Sequence, residues 1–307
     1  MAFGAAEVKA LREQTGAGMM DCKKALVETD GDIEAAVDWL RTKGLAAAAK
    51  KAGRVTAEGL VALAAAGNKG ALVELNAETD FVARNDQFQA LVGQMADAAI
   101  ENGSSLDALN AASLPDGKSI SQSIVDAIST IGENMSLRRA AQLSVSEGVV
   151  ASYMHNATAP NKGKIGVIVG MQSSGNAERL AEVGKQVAMH VAASNPLALN
   201  RESVDQEDVV RERAVLVEQA KASGRPDNII EKMVDGRMRK FYEESVLLEQ
   251  AFVIDPDKTV GKAIEELAKE LGTDVTCTGF VRMGLGEGVE REESDFAAEV
   301  AATLKKD

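Results

Sequence analysis

The sequence predicts an α+β protein whose core is built twice from one pattern. Three observations carry this. Short β-like runs alternate with helical stripes through the middle of the chain. The tripeptide Asn68-Lys69-Gly70 recurs as Asn161-Lys162-Gly163, 93 residues on (161 − 68). A second set of matches follows at a spacing of 140 (260 − 120). There Lys118-Ser119-Ile120 matches Lys258-Thr259-Val260, Ile124 and Ile131 match Ile264 and Leu271, and Gly132 matches Gly272.

Residues 1–55 read as small helices. Val8 and Leu11 form a short stripe that stops at Thr15-Gly16, and Met19, Cys22 and Leu26 repeat at helical spacing. Asp32 is an N-cap for Ile33, Val37 and Leu40, with Lys43-Gly44 as the stop. Ala46 to Arg54 is rich in Ala and Lys and reads as further helix. A three-helix unit of this size holds little core and resembles a docking module more than an enzyme.

Residues 56–148 open with two β-like runs, Leu60–Ala66 and Ala71–Ala77. A polar link follows, then a helix carrying Phe88, Leu91, Val92 and Met95. The second copy has runs at Val149–His155 and Ile165–Met171 and a helix carrying Leu180, Val183, Val187 and Val191. The repeated unit is strand, strand, helix, helix, strand. Helices are expected to cover one face of each three-stranded antiparallel sheet. The change of spacing places about 47 extra residues (140 − 93) inside the second copy. They fall near 200–245 and read as two helices broken at Ser223-Gly224-Arg225-Pro226. Val209, Arg213, Leu216 and Ala220 mark one stripe, and Ile229, Met233, Arg237 and Phe241 the other. Such a helical hairpin projects from the body and suits partner contact. The second core half is then 149–199 with 246–288, and 289–307 forms a short C-terminal module.

Composition narrows the function. The chain has 307 residues, 34 Lys+Arg against 47 Asp+Glu, and a net charge of −13. That balance disfavours a phosphate backbone as the main partner. Cys22 and Cys277 are too few for a disulfide framework, and a cytoplasmic address is expected. The N-terminus lacks the basic-then-apolar pattern of a signal peptide. No apolar run reaches the ~18 residues of a membrane span.

The motifs of small-molecule chemistry fail on inspection. Gly117-Lys118-Ser119 resembles the end of a phosphate loop, but Ala112 stands where a glycine is required. The match to Lys258-Thr259 explains it as a helix cap, with Ser119-x-x-Gln122 as a capping box. Gly284-x-Gly286-x-Gly288 lacks dinucleotide-loop spacing. His190 sits in an apolar helix and suits packing or capping, and Cys22 lies on a packed stripe. His155 ends a strand ahead of a long turn, as a surface contact or a turn residue.

Two places are richer. Phe81 and Val82 lie in the link between the second strand and the helix of Phe88, which starts near Asn85 or Asp86. The matching link of the second copy, 172–176, holds no apolar residue, so the fold does not demand Phe81. Phe81 either staples the helix start or stands out as an aromatic anchor for another protein beside a carboxylate. At Met19-Met20, one side chain can face the core and the other is then an adaptable apolar contact.

Arg12-x-x-Thr15-Gly-Ala-Gly-Met-Met-Asp-Cys-Lys-Lys-Ala-Leu26 resembles the N-terminal signature of the bacterial elongation factor Ts family. Glu74-Leu-Asn-Ala-Glu-Thr-Asp-Phe-Val-Ala83 resembles its second signature, with Ala77 where the family usually has Cys. Met189-His-Val-Ala-Ala-Ser194 and Asp295-Phe-Ala-Ala-Glu-Val300 resemble further segments. Some members have His-Gly and a short turn where this chain has His155-Asn156 and a longer one.

The resemblance implies an N-terminal ubiquitin-associated-like three-helix domain, a duplicated α+β core, an inserted hairpin and a C-terminal module. It implies a guanine nucleotide exchange factor for elongation factor Tu, with no cofactor, no nucleotide site of its own and no chemical catalysis. Thr79, Asp80, Phe81 and Val82 would press into the partner's nucleotide-binding domain. Phe81 would wedge between helices and Asp80 would disturb the groups around Mg²⁺. Arg12, Met19 and Met20 would hold another helix, and Phe296 of the C-terminal module would assist. His155 would touch a different domain of the partner. The hairpin also offers a surface for pairing, as a homodimer or a 2:2 complex. The rival readings are an adaptor or chaperone-like binding module and an enzyme with a dispersed site.

Overall fold

The computed structural model describes residues 3–15 and 17–289. It opens with α1 (Ala5–Thr15), α2 (Met19–Glu28) and α3 (Ile33–Lys51) around Val8, Leu11, Cys22, Leu26 and Leu40. Asp32 caps α3 by accepting a hydrogen bond from the Ala35 amide at 2.9 Å. The helix does not stop at Lys43-Gly44 but runs to Lys51. The Ala-rich stretch beyond Gly44 favours helix. Gly44 is a packing residue: a Cβ there would lie 3.5 Å from the Ser129 side chain of a helix in the first core half.

That half comprises β1 (Glu58–Ala66), β2 (Lys69–Ala77), α4 (Asp86–Asn102), α5 (Leu106–Ala111), α6 (Ile120–Ile131) and β3 (Met135–Ser144). The second has β4 (Gly148–Ala159), β5 (Lys162–Gln172), α7 (Ala177–Ser194), the pair α8 (Gln206–Lys221) and α9 (Asp227–Ser245), a small hairpin β6 (Ala251–Phe252) and β7 (Asp255–Thr259), then α10 (Val260–Leu271) and β8 (Thr276–Gly284).

The repeat is visible atom by atom. Asn85 caps α4 and Asn176 caps α7, each accepting from the amide three residues on. Ser119 and Thr259 cap α6 and α10, and Gly132 and Gly272 end them in the left-handed conformation. Lys118 reaches Asp126 at 2.6 Å and Lys258 reaches Glu266 at 2.7 Å, a pair that also recurs at 140 (266 − 126). The capping box at Ser119 is half closed: the Gln122 backbone amide donates to the Ser119 hydroxyl, but the Gln122 side chain turns away and donates from Nε2 to Asp126.

In each half the central strand is the second, β2 between β1 and β3, and β5 between β4 and β8. The halves are not separate sheets. β1 pairs with the start of β5 at Val61–Gly163 and Ala62–Lys162, and β8 takes β5 from Ile165 on. One face of each half is covered by its helices: Phe88, Val92, Met95, Ile120 and Ile124 in the first, Leu180, Val187, Val191, Val260 and Ile264 in the second. The back faces meet each other through Val61, Leu63, Leu72, Val150, Ile168 and Met283. Strands buried on both faces lose polar alternation, which is why β1 and β2 read as near-continuous apolar runs.

Close approach between paired strands demands glycine. A Cβ at Gly59 or Gly148, both at positive φ, would sit 2.2 Å from a carbonyl oxygen of the neighbouring strand. Glu74 is fully buried at this junction and is satisfied by Arg138, Arg139 and the Gly286 amide. It links β2 to β3 and to the chain just beyond β8.

The α8–α9 pair has its own small core of Leu216, Ala220, Ile230, Val234 and Met238. The expected stripe on α9 is one residue out over its first three positions, while Phe241 packs against this core as expected. Facing Ile230, Val234 and Met238 inward buries three apolar side chains, whereas the 229/233/237 row would bury Arg237. At the base, Arg201 forks onto Glu249 at 2.6 and 2.5 Å and lies 4.7 Å over the Tyr242 ring.

Candidate functional site

The link after β2 is shaped by which residues can enter the first core. Thr79 is extended, and Asp80–Arg84 winds into a single 3₁₀ turn. Val82 and Ala83 turn inward, at 4% and 8% exposure. The Asn85 amide donates to the Val82 carbonyl at 2.9 Å, and Gln89 donates to the Ala83 carbonyl at 2.8 Å. Phe81 is thrown outward and is 79% exposed, beside an exposed Asp80. Val82 therefore takes the inward role that a stapling Phe81 would have filled.

The turn is tied down at its base. Thr79 donates from its amide to Glu133 Oε2 at 2.9 Å and from its hydroxyl to Glu133 Oε1 at 2.6 Å. Glu78 accepts from the Asn134 amide at 2.5 Å and from Arg54 at 3.2 Å. Asn134 in turn donates to the Arg54 carbonyl, and Lys51 to the Gly132 carbonyl. The α6–β3 turn thus gathers the end of α3, the connection to β1 and the base of the Phe81 turn. Glu133 and Arg54 were not singled out from the sequence.

Met19 and Met20 lie in the first turn of α2 and are 44% and 74% exposed. Neither faces the core, contrary to the expectation for one of them. The packed stripe of α2 begins a turn deeper, at Cys22, whose thiol reaches the Ala17 carbonyl. Arg12 is exposed on α1. His155 is exposed inside β4, not at its end, because β4 continues to Ala159 past a left-handed Asn156. Its Nδ1 lies 3.2 Å from the Tyr153 hydroxyl. It belongs to the second half, away from the node that ties the Phe81 turn to α3. Phe296 and the C-terminal module from 290 on lie outside the described residues.

His190 and Cys277 are spent on structure. His190 Nε2 pairs with Gln250 at 2.8 Å and Nδ1 accepts from the Val253 amide, so the ring is held neutral. Burial lowers its pKa against a smaller opposing effect of Gln250. Burial pushes the Cys277 thiol up to about 11. A cleft of about 550 Å³ lies between α3, α6 and the α1–α2 turn. Four of its charged residues pair with each other, Lys43 with Asp21 and Lys118 with Asp126, and Arg41 on its wall reaches Asp38. Among the described residues no helix is long and apolar enough to cross a membrane.

Comparison with known proteins identifies the family. A family model described as elongation factor TS matches residues 78–287. An elongation factor Ts of Paramagnetospirillum magneticum is 62% identical over 96% of this chain and 95% of its own. One from Sinorhizobium fredii is 60% identical over 99% and 100%, and one from Agrobacterium fabrum 61% over 98% of each. Likeness of this degree along essentially the whole length means that the chain belongs to the elongation factor Ts family, and so to the elongation machinery of translation.

Proposed function

We propose that the chain is a guanine nucleotide exchange factor that binds elongation factor Tu with GDP and loosens its nucleotide and Mg²⁺. The observation that carries this reading is Phe81: an aromatic ring 79% exposed on a turn whose base is hydrogen-bonded on both sides. A large apolar side chain held in water by a rigid turn is an anchor awaiting a pocket. Asp80 adds a carboxylate beside it, where the magnesium-bridged phosphates would lie. Arg12, Met19 and Met20 supply a second contact, His155 and Phe296 further ones, and Thr79 and Val82 fix the turn. The segments 1–55, 56–148, 149–199 with 246–288, 200–245 and 289–307 act as separate contact units. This role needs no cofactor and places the chain in the cytoplasm.

The physics is linkage. A factor that lowers the affinity of elongation factor Tu for GDP is bound less well, by the same factor, when GDP is present. It must cover a wide area without resembling the nucleotide. An acidic body with separate apolar contact points meets both demands.

The test is a titration of this chain against elongation factor Tu with and without saturating GDP and Mg²⁺. Tight binding to the nucleotide-free partner that weakens as GDP is added supports the proposal. Binding indifferent to GDP refutes it, and binding to unrelated unfolded chains favours the adaptor reading.

A further inference from the structure

We propose that Glu133 is the positioning residue of the exchange turn, and that Thr79 serves Glu133 rather than the partner. The inference rests on the function proposed above and names what aims Phe81.

Thr79 has two donors, and both are committed to one carboxylate. A charged acceptor makes each bond shorter and stronger than a neutral one. The residue before Thr79 and the residue after Glu133 make a second, reciprocal bond, the Asn134 amide donating to the Glu78 carboxylate. Residues 78–79 and 133–134 are thereby stitched as two rungs. The rungs fix the backbone one residue before Asp80, and Val82 buried in the first core fixes it two residues after. Phe81 is held between those points.

The second core half is an internal control. The residue 140 beyond Glu133 is Thr273, and it closes the same junction with a neutral hydroxyl pair to Ser174 at 3.1 Å. The link there, 173–175, has no 3₁₀ turn and no exposed aromatic. The repeated fold therefore closes without a carboxylate at this place. The carboxylate occurs in the copy that projects Phe81. Glu133 also stands between Gly132, whose carbonyl accepts from Lys51, and Asn134, whose side chain donates to the Arg54 carbonyl. The same turn thus relates the Phe81 turn to the helix that ends the N-terminal unit. A preorganised turn binds without the cost of ordering it at the encounter.

Four variants test this on the full chain: Glu133→Ala, Glu133→Gln, Thr79→Val and Thr79→Ser. Two readouts are needed, amide hydrogen exchange at Thr79–Arg84 and the release of fluorescent GDP from elongation factor Tu at saturating factor. Glu133→Ala and Thr79→Val are expected to speed amide exchange across the turn. They are also expected to lower the maximal release rate about tenfold, the scale of one lost charge-assisted hydrogen bond. Thr79→Ser keeps both donors and should stay within about twofold of wild type, since its bonds are unchanged. Glu133→Gln, which keeps the side-chain volume, should fall between. In a Phe81→Ala background Glu133→Ala should add little, because an aimed ring is no longer there to lose. Unchanged amide exchange and release in Glu133→Ala would overturn the proposal, as would Thr79→Ser failing as badly as Thr79→Val. A wild-type chain that does not speed GDP release would refute the exchange function instead, and the amide-exchange arm would still decide whether Glu133 holds the turn.

Discussion

Replacing Phe81 with alanine separates the contact from the fold. The ring lies outside the first core cluster and is 79% exposed, so it supports little of the chain's own packing. Taking ~200 Å² for an aromatic side chain, that exposure leaves ~160 Å² to be covered by a partner. At ~25 cal/mol per Å² this is worth ~4 kcal/mol. Alanine retains part of the contact and ordering costs consume more, which leaves ~2 kcal/mol, or ~30-fold. The assay is the concentration dependence of GDP release from elongation factor Tu, run beside thermal unfolding of the variant. The expected result is a ~30-fold loss of acceleration with stability within about 0.5 kcal/mol of wild type. Undiminished acceleration refutes the anchor. A large loss of stability refutes the reading of Phe81 as unpacked.

Three further outcomes follow from the fold. Glu74→Ala removes a fully buried carboxylate from two arginines and an amide, and should cost about 2–4 kcal/mol in urea unfolding, the arginines being partly able to rehydrate. Gly59→Ala places a methyl 2.2 Å from the Leu75 carbonyl at positive φ and should destabilise by at least ~2 kcal/mol. His190 is buried neutral with its pKa lowered, so its contribution is complete above the unfolded value of 6.5 and is lost as pH falls below it. Unfolding measured between pH 5 and 7 should show wild type losing up to about 1.4 kcal/mol per pH unit relative to His190→Gln.

Much of the fold was legible because it is written in local chemistry. Asp32, Asn85, Ser119 and Thr259 cap helices in the structure as side-chain acceptors, and such residues ahead of an apolar stripe can be seen in any sequence. The duplication was visible through Asn-Lys-Gly. A stronger signal lies in Glu58-Gly-Leu-Val-Ala62, which recurs as Glu147-Gly-Val-Val-Ala151, each glycine in the first two residues of its strand and at positive φ. The joining of the halves was not legible. A doubly buried strand announces that its back face is covered, but not by what. Gly44 misled because a glycine after lysine serves equally as a helix stop or as a close packing contact, and only the position of Ser129 decides.

The site divides along the same line. Phe81 could be marked from the sequence because the matching link of the second half is polar. Glu133 could not, since it meets Thr79 only through the closure of α6 and β3 onto β2. Met19 resisted for another reason: its spacing continues the stripe of Cys22 and Leu26, yet the helix begins there and the core has already ended.

The most direct measurement is stopped-flow release of fluorescent GDP from elongation factor Tu across a range of concentrations of the unaltered chain. The account predicts a rate that rises with concentration to a plateau far above spontaneous release. A rate that stays at the spontaneous value, with the chain folded and the partner from the same source, contradicts it.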